Sequence, residues 1–299
     1  MMGETKSGFV AVVGKPNVGK STLMNALVGY KVAIVSNRPQ TTRNRITAVL
    51  TEGDCQAVFL DTPGFHLPRT KLGQFMVREV SDAVEGVDMT LMVVEPSRAV
   101  QKTELELLEK LRERSCPLIL VVNKLDTVSK EQLAQTIERY AALAKFDAVI
   151  PISALKGDGV DLVKREIMAR LKPGPFYFPE DMVTDQPERQ MVAEIVREKA
   201  LRYLQDEVPH GIAVEVETFD ESEREKLVRI GVAIFCEKAS HKGIIIGKQG
   251  AMLKKIASAA RHDMEELLDC KVFLECFVKV REWRNQDSML RNFGYTRDK

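Results

Sequence analysis

The residues best suited to chemistry in this chain lie between Gly14 and Thr22, where the sequence reads G-K-P-N-V-G-K-S-T. This spacing, G-x-x-x-x-G-K-[ST], is typical of a loop whose backbone N–H groups converge on a phosphate. Gly14 and Gly19 allow the backbone dihedrals that such convergence needs. Lys20 can reach the β- and γ-phosphates, and the Ser21 hydroxyl can bind Mg²⁺. The pattern therefore predicts a site for a nucleoside triphosphate.

The elements that flank this loop are those that a phosphate site requires. The apolar run at residues 9–13 indicates a buried strand before the loop, and residues 23–27 are typical of the first turns of a helix after it. A helix start also brings the positive end of its dipole to the phosphate. Because strand and helix are both present, a chance glycine-rich turn is the weaker interpretation.

A second polar motif, Asp61-Thr62-Pro63-Gly64, follows the apolar run at residues 57–60. An aspartate at a strand tip can hold Mg²⁺ through water, and the N–H of a glycine can approach a γ-phosphate and move when it departs. The polar loop at residues 36–43 offers a further Mg²⁺ ligand. We predict Thr42 in this role, with Thr41 as the alternative and plain solvation of the loop as the competing interpretation. The predicted phosphate-binding residues are Gly14, Lys15, Pro16, Asn17, Val18, Gly19, Lys20, Ser21, Thr22, Asp61, Thr62, Pro63 and Gly64.

The base is indicated by N-K-L-D, which follows the apolar run at residues 118–122. The carboxylate of Asp126 can accept two hydrogen bonds from guanine, a donor pair that adenine lacks. Lys124 is expected to lie along the base and ribose, and Asn123 to brace neighbouring loops. In guanine-nucleotide proteins a loop like the one after residues 148–152 offers a backbone N–H to the guanine O6. The predicted guanine-binding residues are Asn123, Lys124, Asp126, Ser153, Ala154 and Leu155, which favours GTP over ATP.

Strand and helix patterns alternate through the first part of the chain. Helical spacing at residues 72–84, 103–112, 131–143 and 160–171 separates the apolar runs. Such alternation predicts an α/β fold, a doubly wound and mostly parallel sheet that binds ligands at the carboxyl ends of its strands. Every motif described above follows an apolar run, as that rule requires.

The pattern changes after residue 171. Residues 173–187 carry prolines and glycines that a helix would not tolerate, and we interpret them as an extended linker. A helix at 189–205, strands at 212–219, 226–236 and 271–280, and a long helix at 251–268 follow. The predicted organisation is a tail at 1–7, a first domain at 8–172, and an α+β second domain with a C-terminal tail at 188–299.

The second domain contains G-K-Q-G at residues 247–250, between three isoleucines and the long helix. G-x-x-G is common by itself, but in this setting it is typical of the KH module, where the backbone approaches the phosphates of four nucleotides. The lysines nearby, with Arg261, would form a local positive patch. The alternative is a small docking domain with a solvated basic helix, and Trp283 could either stack on a base or pack in the core. The predicted RNA-binding residues are Lys242, Gly243, Ile245, Ile246, Gly247, Lys248, Gln249, Gly250, Lys254 and Lys255.

The amino-acid composition limits the classes of protein to which the chain can belong. The chain has 44 basic and 43 acidic residues and a net charge of +1, so any nucleic-acid surface must be local. Five scattered cysteines without C-x-x-C spacing predict neither a disulfide framework nor a zinc site. No run approaches the roughly 20 apolar residues of a membrane span, and no signal peptide is evident. We expect a cytoplasmic protein.

The motifs resemble those of the Era family of translation-associated GTPases, over residues 8–172 and in the same order: G-K-P-N-V-G-K-S-T, Q-T-T-R at 40–43, D-T-P-G, N-K-L-D and Ser153-Ala154. The element order of the second domain resembles the type II KH domain of that family. The resemblance implies GTP, GDP and Mg²⁺ as ligands and the 3′ end of 16S ribosomal RNA as partner. It further implies a monomer that acts in assembly of the small ribosomal subunit, and it allows peripheral contact with the cytoplasmic face of the inner membrane.

The resemblance also bears on hydrolysis. Many GTPases carry a water-orienting glutamine where this chain has Phe65, so unaided turnover is expected to be slow, below roughly 1 s⁻¹. In relatives an asparagine at the position of Asn17 helps to bind K⁺, although a turn-stabilising role is equally open. Lys20, Asn17 and Gly64 are the residues expected to act in hydrolysis, and His66 is given no role. Two rival functions are a regulatory switch whose output is a protein partner and an accessory factor of RNA modification.

Overall fold

The computed structural model describes residues 4–36, 38, 41–65, 70–205, 208–293 and 295. Gln40 of the Q-T-T-R motif, His66 and Gly294 of the C-terminal tail lie outside these residues. The chain divides into two units. The first holds the residues up to Val35, those from Thr42 to the D-T-P-G motif and those from 73 to 185; the second holds residues 36–41, 70–72 and those from 186 onward.

A mostly parallel sheet organises the first unit. Its strands are β1 (Lys6–Val13), β2 (Ile46–Glu52), β3 (Cys55–Asp61), β4 (Met89–Val94), β5 (Leu118–Val122), β6 (Ala148–Pro151) and the short β7 (Lys172–Pro173). Their order is β2-β3-β1-β4-β5-β6, with β7 against the start of β1. The strands from β3 to β6 along this order run parallel, whereas β2 is antiparallel to β3. This confirms the predicted fold class, although the sequence patterns did not single out β2 or β4.

Helices cover both faces of this sheet. They are α1 (Lys20–Val28), α2 (Lys71–Ala83), α3 (Lys102–Arg112), α4 (Lys130–Leu143) and α5 (Val160–Arg170). Alternate residues of β1 point to opposite faces, as the two-residue period of a strand dictates. Val10 and Val12 pack in one apolar layer with residues of α1 and α5, whereas Ala11 and Val13 pack in the other with residues of α2, α3 and α4. The carboxyl ends of the parallel strands are thereby held at one rigid edge.

The predicted linker is extended, but residues up to 185 are fixed on the first unit. The side chain of Gln56, at the start of β3, is 0% exposed. Its amide oxygen accepts the N–H groups of Tyr177 (2.8 Å) and Phe178 (3.0 Å), and its NH₂ donates to the Phe178 carbonyl (2.9 Å). The N–H of Val49 in edge strand β2 donates to the Val183 carbonyl at 2.9 Å. These extended residues therefore pack on the first unit, which composition could not reveal because it excludes a helix without identifying backbone partners. We call residues 177–184 the edge strap.

The second unit follows the element order of a KH domain. It contains α6 (Glu188–Tyr203), β8 (Ala213–Asp220), β9 (Val228–Cys236), α7 (Ala239–Ile246), α8 (Ala251–Leu268), β10 (Val272–Val280) and α9 (Asp287–Asn292). The sheet order is β10-β9-β8, with β10 parallel and β8 antiparallel to β9. Apolar residues of α6 and α8, such as Val192 and Ile256, pack with those of the sheet in a single core.

Trp283 is buried in the second unit. Its side chain is 0% exposed, and its indole N–H donates to the Gly211 carbonyl at 3.0 Å. The rings of Phe293 and Tyr295 lie 5.5 and 5.9 Å from it, centroid to centroid. Of the two interpretations of Trp283, core packing is correct and base stacking is wrong, since no face of the ring is open.

Among the helices that the structure describes, none combines the length and the apolar character needed to cross a membrane.

Candidate functional site

The loop between β1 and α1 can form only with glycine at two positions. Gly14 (φ 152°) lies so close to β4 that a Cβ atom on it would be 2.2 Å from the Val93 carbonyl oxygen. Gly19 (φ 96°) begins α1, and a Cβ there would be 2.2 Å from the amide nitrogen of Asn123. Asn17 also has a left-handed backbone, with φ 64°. The backbone turns sharply between strand and helix, as convergence of N–H groups on one anion requires.

Lys20 lies inside this loop. Its ammonium group donates to the carbonyls of Gly14 (3.1 Å) and Lys15 (3.0 Å), and its side chain is buried. Burial lowers the pKa of Lys20 to about 8, and the negative charge of Asp61 opposes that shift. The site thus has a cation at its centre. The Lys15 side chain, by contrast, pairs with Glu95 at 3.2 Å, so Lys15 can offer the phosphates only its backbone.

Three oxygen-bearing side chains meet beside the loop. The Ser21 hydroxyl donates to Asp61 Oδ2 at 2.7 Å and lies 2.9 Å from the Thr42 hydroxyl. Asp61 is fully buried, and within the described residues its Oδ1 atom has no hydrogen-bond partner. Burial raises the pKa of Asp61, opposed by the charge of Lys20 and the hydrogen bond from Ser21. A buried carboxylate with an unpaired oxygen and two hydroxyls is a set of hard ligands that fits Mg²⁺.

The two threonines of the polar loop at residues 36–43, which were predicted as alternative Mg²⁺ ligands, have different surroundings. The Thr42 hydroxyl is buried, 3.4 Å from Asp61 Oδ2. The Thr41 hydroxyl donates to the Arg38 carbonyl at 2.6 Å, and the Thr41 carbonyl accepts a hydrogen bond from Arg197. Only Thr42 joins Ser21 and Asp61, and Thr41 lies with residues of the second unit.

The D-T-P-G segment follows β3 and lies against the phosphate loop. The Thr62 hydroxyl donates to the Val12 carbonyl at 2.8 Å, and the Phe65 N–H donates to the Gly14 carbonyl at 3.1 Å. A Cβ on Gly64 would lie 2.6 Å from the backbone of Pro16. The Phe65 ring is buried in an apolar cluster with residues of α2 and α3. This segment therefore brings a glycine N–H, but no polar side chain at Phe65, to the phosphate loop.

Asn123 joins three loops. Its side chain is buried, donates to the Val18 carbonyl at 2.8 Å and accepts the Ala154 N–H at 2.9 Å. A hydrogen bond with Ser153 holds the pKa of Asp126 below its usual range, so that carboxylate is ionised at neutral pH. The Leu155 side chain is 83% exposed. The residues predicted for guanine thus adjoin the phosphate loop.

Sequence reasoning missed Glu95 at this edge of the sheet. It follows β4, and its carboxylate is paired with Lys15 and Lys124. Glu95 belongs to no sequence motif. Its position at the carboxyl end of a parallel strand, where such sheets bind ligands, could have identified it as a site residue.

The G-x-x-G segment forms a tight turn between α7 and α8. Gly247 (φ 72°), Gln249 (φ 51°) and Gly250 (φ 78°) all have left-handed φ values. A Cβ on Gly247 would lie 2.8 Å from Met252 Cβ, whereas a Cβ on Gly250 would meet nothing within 4 Å. Glycine at 250 therefore suits the left-handed backbone angle and leaves the main chain accessible from outside. Packing against neighbouring residues does not require it.

The side chains around this turn divide into exposed and buried. The exposed ones include five basic residues: Lys242, Lys248, Lys254, Lys255 and Arg261. Ile245 is fully buried in the core of the second unit, so its prediction as an RNA contact is wrong. One face of α7 must pack on that core, and the apolar run at 244–246 does not reveal which isoleucine does so. Ile244 is exposed and Ile246 is half-buried, so these two remain open to a ligand.

The fold and its loops define a P-loop GTPase followed by a KH domain. A family model described as 50S ribosome-binding GTPase matches residues 9–124, and a KH domain model matches residues 207–284. The chain is 52% identical to GTPase Era of Ruminiclostridium cellulolyticum over 295 residues, 98% of this chain and 99% of that one. It is 50% identical to GTPase Era of Clostridioides difficile, over 97% and 98% of the two chains. The chain belongs to the Era family of GTPases.

Solved structures agree with this assignment. One is a crystal structure of Era in complex with MgGDPNP and nucleotides 1506–1542 of 16S ribosomal RNA. It is similar to this chain with a TM-score of 0.93 and 37% identity, and the match covers 97% of this chain and 99% of that one. A variant of Aquifex aeolicus Era bound to GDP and AlF4⁻ gives the same values. The predictions of the family, of GTP hydrolysis and of GTP, GDP and Mg²⁺ as ligands are confirmed.

Proposed function

We propose that this GTPase binds the 3′ end of 16S ribosomal RNA through its KH domain and acts in assembly of the small ribosomal subunit. The observation that carries the proposal is the G-K-Q-G turn at the start of α8, with its left-handed glycines and exposed lysines. The relative crystallised with nucleotides 1506–1542 of that RNA matches this chain over nearly its whole length. We therefore propose that this chain binds the same segment of RNA as that relative.

The turn has the chemistry that an RNA backbone requires. Because nothing lies within 4 Å of a Cβ built on Gly250, a phosphate can approach the main chain at that point. Lys248, in the middle of the turn, and Lys254, on the first turns of α8, can neutralise phosphate charge. The exposed Ile244 and the half-buried Ile246 offer apolar contact to bases. Positive charge is local here, as a chain of net charge +1 requires.

The RNA proposal is tested with an oligonucleotide that corresponds to nucleotides 1506–1542 of 16S ribosomal RNA. Fluorescence anisotropy would measure its Kd for wild type, Lys248→Ala and Gly250→Asp. We expect both variants to weaken binding about tenfold or more, since each disturbs a phosphate contact. Lys226→Ala, which removes an exposed lysine outside the turn, is the matched control. Equal losses in the variants and the control would refute a specific KH site and favour a protein partner as the output.

We also propose roles for the nucleotide-site residues. Lys20 binds the phosphates, Ser21 and Thr42 bind Mg²⁺, Asp61 holds it through water, and Asp126 selects guanine. When bound, Mg²⁺ neutralises charge on the β- and γ-phosphates. The buried Oδ1 of Asp61, which accepts no hydrogen bond within the described residues, supports this set because a bound cation or its water would satisfy it.

Asp126 offers a sharp test. Asp126→Asn replaces one acceptor by a donor, which mismatches the two donors of guanine but matches xanthine, whose C2 position carries an oxygen. We expect GTP affinity to fall by about a hundredfold or more while XTP affinity rises. Unchanged preference for GTP would show that another residue selects the base.

We further propose that Asn17 binds K⁺ and that K⁺ accelerates hydrolysis. The left-handed backbone at Asn17 suits a turn-stabilising role equally well, so the test must separate the two. Asn17→Gly preserves the turn, since glycine adopts the same φ freely, but removes the side-chain oxygen. Turnover would be measured in K⁺ and in Na⁺. Faster turnover in K⁺ that is lost in Asn17→Gly supports the proposal, and equal rates in the two salts refute it.

The proposed ribosomal partner implies action in the cytoplasm, with peripheral contact at the inner membrane as the finer proposal. Cell fractionation at low and high salt would test it. Protein that sediments with membranes only at low salt supports peripheral contact, and protein found only with ribosomes and in the soluble fraction refutes it.

A further inference from the structure

One carboxylate, that of Glu95, lies between two lysines from different loops of the nucleotide site. Its Oε1 atom is 3.2 Å from Lys15 Nζ, and its Oε2 atom is 2.5 Å from Lys124 Nζ. Lys15 is the second residue of the phosphate loop, and Lys124 is the second residue of N-K-L-D. Glu95 itself directly follows β4. The ion pairs therefore connect the phosphate loop, the end of strand β4 and the loop that contains N-K-L-D, which we call the guanine loop.

The pair between Glu95 and Lys15 is partly shielded from solvent, whereas the Lys124 side chain is 36% exposed. The side chains of Lys15 and Glu95 are 11% and 29% exposed. A second carboxylate, Glu104, is almost fully buried and lies 3.7 Å from Lys15 Nζ. Glu104 is fixed in turn, because its Oε2 atom accepts the N–H of Gln101 at the start of α3 (2.9 Å). Lys15 is thus held on two sides, and partly shielded pairs of this kind are weakened less by salt than exposed ones.

The charge state of Glu95 suits this role. Burial raises its pKa, but the hydrogen bond and charge of Lys124, followed by the charge of Lys15, outweigh burial and bring the pKa below its usual range. Glu95 is therefore ionised at neutral pH, as its ion pairs with Lys15 and Lys124 require.

Both lysines belong to backbone positions that shape the site. The Lys15 carbonyl accepts a hydrogen bond from the ammonium group of Lys20 at 3.0 Å. Lys124 has a left-handed backbone (φ 65°), a conformation that costs energy in any residue other than glycine and must be held by its neighbours. Asn123 already links these loops through Val18. The Glu95 pairs form a second link between them, made by charge instead of by hydrogen bonds to the backbone.

We infer that Glu95 is a positioning residue that holds the guanine loop against the phosphate loop and thereby sets how long a guanine nucleotide stays bound. Glu95 acts through Lys15 and Lys124, and its role rests on the nucleotide site proposed above. Loss of its charge should loosen both loops without changing the groups that act in hydrolysis.

The test is Glu95→Gln, which keeps the shape of the side chain and removes its charge. Dissociation of N-methylanthraniloyl-GDP, chased with excess GDP, would be followed by fluorescence. We expect about three- to tenfold faster dissociation, and a KM for GTP that rises while kcat stays near that of wild type. Glu113→Gln, at an exposed position after α3, is the matched control and should dissociate GDP like wild type.

A second variant guards against a folding defect. Lys15→Gln removes one partner and leaves Glu95 in place, and it should also speed dissociation. Combined with Glu95→Gln, its effect should be less than multiplicative, because both substitutions break the same pair. Melting temperatures establish that each variant is folded.

The outcomes separate this inference from the nucleotide site on which it depends. If wild type itself fails to bind N-methylanthraniloyl-GDP, the proposed site is wrong. If wild type binds and Glu95→Gln dissociates at the wild-type rate, the positioning role is refuted. A fall in kcat with unchanged dissociation would also overturn it, since that result would assign Glu95 to hydrolysis.

Discussion

Asn123→Ala should uncouple the two loops predicted to bind guanine, which contain N-K-L-D and Ser153-Ala154, from the phosphate loop. The Asn123 side chain joins the Val18 carbonyl (2.8 Å) to the Ala154 N–H (2.9 Å), and all three residues are buried. Alanine would leave the carbonyl and the N–H without partners in a region that water does not reach. The perturbation therefore acts on stability and on the geometry of the site together.

The magnitude follows from the two orphaned groups. A buried donor or acceptor left unpaired costs about 1–3 kcal/mol. Alanine also removes the desolvation cost of burying the Asn123 amide group, which offsets part of this loss. We therefore expect the free energy of unfolding of the first unit to fall by about 2–4 kcal/mol. For a unit of this size, that corresponds to a melting temperature lower by roughly 5–15 °C. Misalignment of the loops should in addition weaken GDP binding about tenfold or more.

Gln56→Ala is the matched control. Gln56 is buried as completely as Asn123 and makes three hydrogen bonds to the backbone of the edge strap, but it lies at the start of β3, opposite the strand end that carries Asp61. Thermal unfolding with and without GDP would compare the two variants, because a ligand that binds only the folded state raises the melting temperature according to its affinity. Both variants should melt earlier than wild type, and only Asn123→Ala should lose most of the increase that GDP produces.

Equal stabilisation of the two variants by GDP would refute this role of Asn123. Asn123 would then stabilise the unit without arranging the nucleotide loops. A GDP affinity of Asn123→Ala within about twofold of wild type, measured by direct titration, would lead to the same conclusion.

Three further comparisons, made with four substitutions, test separate parts of the structure. Gly64→Ala places a methyl group 2.6 Å from the Pro16 backbone, so GTP hydrolysis in single-turnover assays should fall about tenfold or more while GDP affinity stays close to wild type. Thr42→Val should raise the Mg²⁺ concentration needed for half-maximal hydrolysis about tenfold, whereas Thr41→Val should not; equal effects would contradict the geometry. Trp283→Phe removes a buried hydrogen bond and should lower the stability of the second unit by about 1–2 kcal/mol in denaturant titration, with unchanged RNA affinity; weaker RNA binding would revive base stacking.

The sequence was most informative where a strand ends. Apolar runs predicted the strands, and the rule that parallel sheets bind ligands at their carboxyl ends led directly to Asp61 and Asn123. The structure brings these residues to the same edge as the phosphate loop. Glu95 obeys the same rule but was overlooked, because a single glutamate after a strand matches no motif and its partners come from distant parts of the chain.

Side-chain direction was less predictable. Thr41 and Thr42 are adjacent and chemically identical, yet only Thr42 meets Ser21, and the contact depends on how the loop is held. Three consecutive isoleucines at 244–246 identified an apolar segment, but the helical turn that buries Ile245 and exposes Ile244 is set by packing of α7 on its core. Local pattern defines which residues are candidates, and tertiary contacts decide which of them face a ligand.

The edge strap has a consequence for how the first unit could be produced alone. Strand β2 ends the sheet and would otherwise present unpaired backbone groups, which are a template for association with other chains. The strap occupies part of that edge, through the hydrogen bond between Val49 and Val183 and through the Thr184 hydroxyl, which donates to the Thr47 carbonyl at 2.7 Å. A GTPase fragment that stops after β7 would expose this edge and should self-associate on concentration. One that continues to Asp185 would carry its own cover and should stay monomeric.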